Sequence, residues 1–243
     1  MSSEHQHWAY VWIPILGGFM WFSTLLSMLI TWLATGRPHY VSMDGSIAYI
    51  SDIGADILKP LFIAGCAITA VCFVLSLCVE RGLRHVGRER IFGYLAIFGS
   101  FVGGCGLILL SIFDTKRHAS LHRVFLLVFM LGVAISALFT VIEFRWLSRD
   151  FRDVRTLKLA YLAKAIIATI LILLAFAFGV ALYKSINVGA VLEWTISFGF
   201  TLYLLTFFFD LRQSKGVQRG ELSAEKFTTR TRPHDDRLAT RQV

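Results

Sequence analysis

Residues 61–79 read LFIAGCAITAVCFVLSLCV, nineteen positions without a charged side chain. At about 1.5 Å rise per residue, a helix of that length nearly matches the ~30 Å hydrocarbon core of a bilayer. Five more long apolar runs surround it, at residues 11–33, 91–113, 124–142, 165–182 and 191–209, with Glu193 the one charged side chain among them. Lipid offers no partner for open backbone groups, so helices are the economical way to cross it. Membrane strands would show alternating segments of about ten residues, and no such alternation is present. The expected fold class is therefore all-α, a polytopic membrane bundle of six transmembrane helices followed by a disordered basic C-terminal tail. Composition agrees: 56% of the 243 residues are hydrophobic and 16% are charged, against about 25% charged in a soluble domain.

The division expected along the chain is a short cytosolic N-terminus at 1–7, a membrane domain at 8–211 and a basic cytosolic tail at 212–243. The first run is too long for the apolar core of a signal peptide, no Lys or Arg precedes it, and it is expected to stay as a span. Seventeen of the 24 basic residues fall between spans two and three, between spans four and five, or in the tail. Six fall on the other side: Arg37, Lys59, Lys116, Arg117, Arg123 and Lys184. Lys164 opens span five and is expected to snorkel toward the interface. The positive-inside rule then places both termini in the cytosol. The net charge of +8 is read as orientation and attraction to anionic inner-leaflet lipid, with no nucleic-acid partner. Trp8, Tyr10, Trp12, Tyr94, Trp146 and Tyr161 fit an inner aromatic belt, and Trp32, Tyr183 and Trp194 an outer one.

Cys66, Cys72, Cys78 and Cys105 all lie inside apolar runs, as packing residues rather than disulfide partners or metal ligands. Small residues mark helix contacts: Gly65, Thr69, Cys72 and Ser76 in span two, Gly99, Ser100, Gly103 and Gly104 in span three, and Gly132, Ser136 and Thr140 in span four. Gly99 and Gly103 also offer a dimerisation face. Glu143 continues the stripe of span four, as a boundary residue or an intramembrane polar site, with Lys164 or Arg145 as candidate partner. Glu193 is expected at the interface.

The outer loop at 34–60 is only partly polar and is expected to fold back over the mouth of the bundle. It contains Tyr49-Ile-Ser-Asp-Ile-Gly54, where Ser51 and Asp52 can bond nearby amides and Gly54 allows a left-handed turn. In the next outer loop Asp114 or Thr115 caps the following helix, and His118 and His122, four apart, share one of its faces. The spacing of Asp44, Asp52 and Asp56 matches no calcium loop, and two histidines alone do not complete a zinc site. No metal, cofactor or catalytic residue is assigned.

The stretch from Tyr49 to Gly54, followed by Lys59-Pro60-Leu61-Phe62, resembles the first-loop signature of the Frag/DRAM/Sfk family, which includes the N-terminal domain of Cwh-type cell-wall proteins. Ser111-Ile-Phe113-Asp114-Thr115 with His118 and His122 resembles its second signature. The resemblance covers residues 8–211 and points to fungal Sfk-like members, because Ala48 and Leu61 replace residues typical of other branches. It implies six spans with cytosolic ends. It marks Tyr49, Ser51, Asp52, Gly54, Pro60, Asp114, Thr115, His118 and His122 as outer-face positions for lipid or partner contact. Its branches imply a non-enzymatic organiser of membrane lipids that supports a plasma-membrane phosphatidylinositol 4-kinase assembly, a factor in GPI-anchor lipid remodelling at the ER or Golgi, or a modulator of autophagy at the vacuole or lysosome.

Overall fold

The computed structural model describes residues 10–83, 90–150 and 155–213, with side chains described for 10–82, 91–143 and 162–211. The expectations for residues 1–7 and for the tail from 214 lie outside the described residues. Among the described residues, seven helices follow one another: α1 (Ile13–Ala34), α2 (Ile50–Gly54), α3 (Lys59–Leu83), α4 (Arg90–Ile112), α5 (Thr115–Asp150), α6 (Arg155–Lys184) and α7 (Ile186–Gln213). The short α2 lies in the loop between α1 and α3; the other six are long and apolar enough to cross a membrane.

The helices run past the apolar runs that predict them. Hydropathy stops at the first charge, whereas the backbone ladder continues while each amide finds its carbonyl. Thus α5 starts at Thr115, ahead of Lys116, Arg117 and Arg123, whose side chains are all exposed. Asp114 sets that start by accepting the Arg117 amide N–H at 2.7 Å. At the other end of the first span, the Gly36 N–H bonds to Leu33 O and the Arg37 N–H to Trp32 O, with φ of 81° at Gly36 and 58° at Arg37. This is the left-handed stop that ends many helices.

The long helices close a ring: α1 packs on α3, α3 on α4, α4 on α5, α5 on α6, α6 on α7, and α7 back on α1, while α3 also touches α7 across the middle. Aromatic rings fill that middle. Phe73 of α3 meets Phe200, Tyr203 and Phe207 of α7 edge to face, and Trp21 of α1 meets Phe200. Small residues set the closest seams. A Cβ on Gly132 would strike the backbone of Gly103, and one on Gly99 would come within 2.7 Å of Ser136 N. Gly65 faces Thr24 and Gly17 faces Cys72. The Gly99–Gly103 stripe is thus consumed inside the molecule by α5, which removes it as a dimer face. Cys66 and Cys72 are buried, Cys105 is half-buried, Cys78 is exposed, and all four are free thiols.

Candidate functional site

The connection between α1 and α3 folds back over one end of the ring, here the cap end; the opposite end, where α7 runs out, is the tail end. Local chemistry shapes the cap first. Asp52 Oδ2 accepts the Tyr49 N–H at 3.0 Å, closing the first turn of α2, and Asp52 Oδ1 accepts the Ser42 hydroxyl at 2.6 Å. The Thr115 hydroxyl, at the start of α5, donates to Ser51 O at 3.2 Å and lies 3.4 Å from the Ser42 hydroxyl. Lys59, first residue of α3, pairs with Asp114. The two signatures recognised in the sequence therefore meet at one place.

The start of α7 supplies the rest of the seat, where the sequence marked Glu193 and Trp194 only as interfacial residues and gave Asn187 no role. Asn187 Oδ1 accepts the Ser46 and Ile47 N–H groups at 2.8 and 3.3 Å. The Tyr49 hydroxyl donates to Ile186 O at 2.8 Å, and the Trp194 indole N–H to Ala48 O at 3.0 Å. Glu193 Oε2 accepts the Ile50 N–H at 2.7 Å. The only available signal was that Asn187 is the sole asparagine in the chain.

Several expectations change here. Glu193 is 7% exposed, a buried acceptor for the cap rather than an interfacial residue. Trp32 and Trp194 are buried as well, because their indole N–H groups find carbonyls at Pro38 and Ala48. Tyr183, by contrast, is exposed. Gly54 makes no left-handed turn; it ends α2, where a Cβ would enter the ring of Phe62. Pro60 is exposed in the first turn of α3, where a missing N–H costs nothing.

His118 and His122 do not share a face. His118 breaks the helical pattern (φ −135°, ψ 47°), is exposed, and stands edge-on to Phe113. His122 is 2% exposed, and its Nδ1 lies 2.8 Å from Leu110 O and 3.0 Å from Phe113 O. Both neighbours only accept, so Nδ1 donates and satisfies the carbonyls that end α4. Among the described residues, no group of three His, Cys, Asp or Glu side chains could hold a metal ion.

Electrostatics at the cap follow from burial. Burial pushes the Asp52 carboxyl above the ordinary aspartate value, against the hydrogen bonds from Ser42 and the Tyr49 amide that lower it. Burial also raises Asp114, but its bonds to Lys59 and the Arg117 amide outweigh that and hold it below the ordinary value. The Tyr49 phenol is pushed up to about 12, by burial and then by Glu193, Asp52 and Asp44.

A second polar cluster lies at the tail end. Arg81 of α3 pairs with Glu143 of α5 and reaches the Thr140 hydroxyl at 3.3 Å. Lys164 of α6 pairs with Asp210 of α7, both 1% exposed, and its ammonium sits 3.6 Å above the Phe207 ring. Glu143 therefore takes Arg81 as its ion-pair partner rather than Lys164. Lys164 does not snorkel, because Asp210 meets it at its own depth. Glu80 is fully buried beside them.

The Frag1/DRAM/Sfk1/Cwh43P N-terminal domain model matches residues 9–214. The chain belongs to that family. Among curated proteins it is similar to protein sfk1 of Schizosaccharomyces pombe, 27% identical over 220 residues, which cover 86% of this chain and 66% of that protein. It is also similar to protein SFK1 of Saccharomyces cerevisiae, 26% identical over 188 residues, covering 62% of this chain and 53% of that protein. The chain thus spans just under two thirds and about half of the length of these relatives. No solved structure matches. Family membership and six long apolar helices make the chain an integral membrane protein of this family.

Proposed function

We propose that this Sfk1-family protein is a non-enzymatic organiser of plasma-membrane lipids that supports phosphatidylinositol 4-kinase signalling, with both termini in the cytosol. The observation that carries this reading is the family match across the whole bundle, with fungal Sfk1 proteins as relatives. The charge distribution supports the orientation: seventeen basic residues fall on the tail side of the spans and six on the cap side. Basic residues next to spans attract anionic inner-leaflet lipid, at about 1 kcal/mol each near the surface. In this reading the tail-end connectors and C-terminal segment meet that lipid or the kinase assembly. The ion pairs Arg81–Glu143 and Lys164–Asp210 keep the helix ends behind them in place. Of the signature residues of the cap, the exposed Pro60 and His118 and the half-buried Tyr49 and Thr115 then meet lipid or a partner on the outer face, while the buried Ser51, Asp52, Gly54, Asp114 and His122 hold the cap in shape behind them.

The test is phosphatidylinositol 4-phosphate at the plasma membrane of a strain lacking the protein, imaged beside a C-terminally tagged copy. A reduced or redistributed pool and a cell-surface tag are expected. An unchanged pool, or a tag confined to vacuole or Golgi, overturns the reading.

A further inference from the structure

The cap is seated in an unusual way. Two successive backbone amides, those of Tyr49 and Ile50, are each held by a carboxylate from a different element: Asp52 within α2 and Glu193 from α7. Both carboxylates are buried, at 2% and 7% exposure, and Glu193 lies within electrostatic reach of Asp52. Lys59, the basic residue bound at the cap, is engaged by Asp114. Two like charges brought together away from water oppose each other. Among the described residues, every other side-chain hydrogen bond seating residues 46–51 is neutral: Asn187, the Tyr49 hydroxyl, Trp194 and Thr115.

We propose that the cap is a pH-responsive latch, fastened to α7 when the Asp52–Glu193 pair carries a proton and loosened when both carboxylates are ionised. The groups that face the pair are on the page. Asp52 faces Ser42, the Tyr49 amide, Asp44 and His39, and Glu193 faces the Ile50 amide, Asp52 and Tyr49. The direction follows from Asp52. A carboxyl raised in the folded state holds its proton at a pH where the free chain has released it. Docking is therefore strongest in acid and weakens as pH climbs from the ordinary aspartate value through the raised one. Asp114 runs the other way. Its contribution is complete above the ordinary value and is lost only as pH falls through its lowered one. The two carboxylate responses occupy separate windows. The latch does not depend on the lipid-organising proposal.

Amide hydrogen exchange on the full chain in phosphatidylcholine nanodiscs tests this, at pH 5 and pH 8 with intrinsic rates corrected. Peptides covering residues 46–54 should be protected more at pH 5, by about tenfold for each unit by which a folded-state carboxyl pKa lies above 5. Glu193→Gln keeps an acceptor for the Ile50 amide without a charge and should flatten the response; Asp52→Asn should do so independently. Equal corrected protection at the two pH values in the wild type overturns the latch, as does an undiminished response in both variants. Parallel loss of protection around Gly132 overturns it too, because the change is then global. An unchanged seam around Gly132 shows that a variant has folded.

Discussion

Lys164 shows how depth and partner together decide the behaviour of a charged side chain. A lysine at the start of a span usually reaches for water, yet here Asp210 of the neighbouring helix stands beside it and the Phe207 face lies under its ammonium. Burying two ions is costly, and removing one leaves the other uncompensated. Lys164→Ala should therefore destabilise the protein by about 3–5 kcal/mol, while Lys164→Met with Asp210→Leu should recover most of that loss. Thermal unfolding in one detergent measures both. Equal melting temperatures for wild type and Lys164→Ala would refute the account. None of this was legible from spacing, since 46 residues separate the partners. Glu143 teaches the same lesson, because its partner Arg81 lies two helices earlier in the chain.

At the scale of helices, the decisive feature is how closely α4 and α5 approach. Dispersion and small residues drive helix association in lipid, and Gly132 lets the α4 backbone at Gly103 come into direct contact. Gly132→Ala should cost about 1–3 kcal/mol by overpacking. Gly179 on α6 has nothing within 4 Å of its missing Cβ, so Gly179→Ala should be neutral or stabilise by up to about 1 kcal/mol through helix propensity. Melting temperatures of the two variants should move apart; if Gly132→Ala melts no lower than Gly179→Ala, the seam is wrong. The stripes of small residues were visible in the sequence, but which stripe faced which was not. Four-residue spacing defines a face and says nothing of its partner, so Gly99 and Gly103 read equally well as a dimer seam. The cap divides similarly. Its signature residues stood out, whereas Glu193 and Trp194 of α7 read only as interfacial residues and Asn187 had no assigned role, because their roles depend on the backbone of a loop some 140 residues away.

For the molecule as a whole, the ring of six spans places the cap at the end opposite the Arg81–Glu143 and Lys164–Asp210 pairs. Under the proposed orientation, protease added outside sealed cells should leave a C-terminal tag intact and should cut it only after permeabilisation. A probe inserted at Ala55, in the connector after α2, should show the reverse. Loss of the C-terminal tag in intact cells would invert the topology and with it the proposed role of the basic segments.

The sequence by itself determined the number of spans, the helical class and the end at which charge collects. Each of these follows from a local quantity: run length against bilayer thickness, the demand that backbone groups be satisfied, and the position of Lys and Arg. Tertiary structure alone decided which carboxylate meets which cation, which glycine meets which backbone, and that a buried pair, Asp52 and Glu193, seats the cap. Those outcomes depend on distances between segments remote in the chain, and a polar group inside a bundle takes its character from the partner folding brings to it.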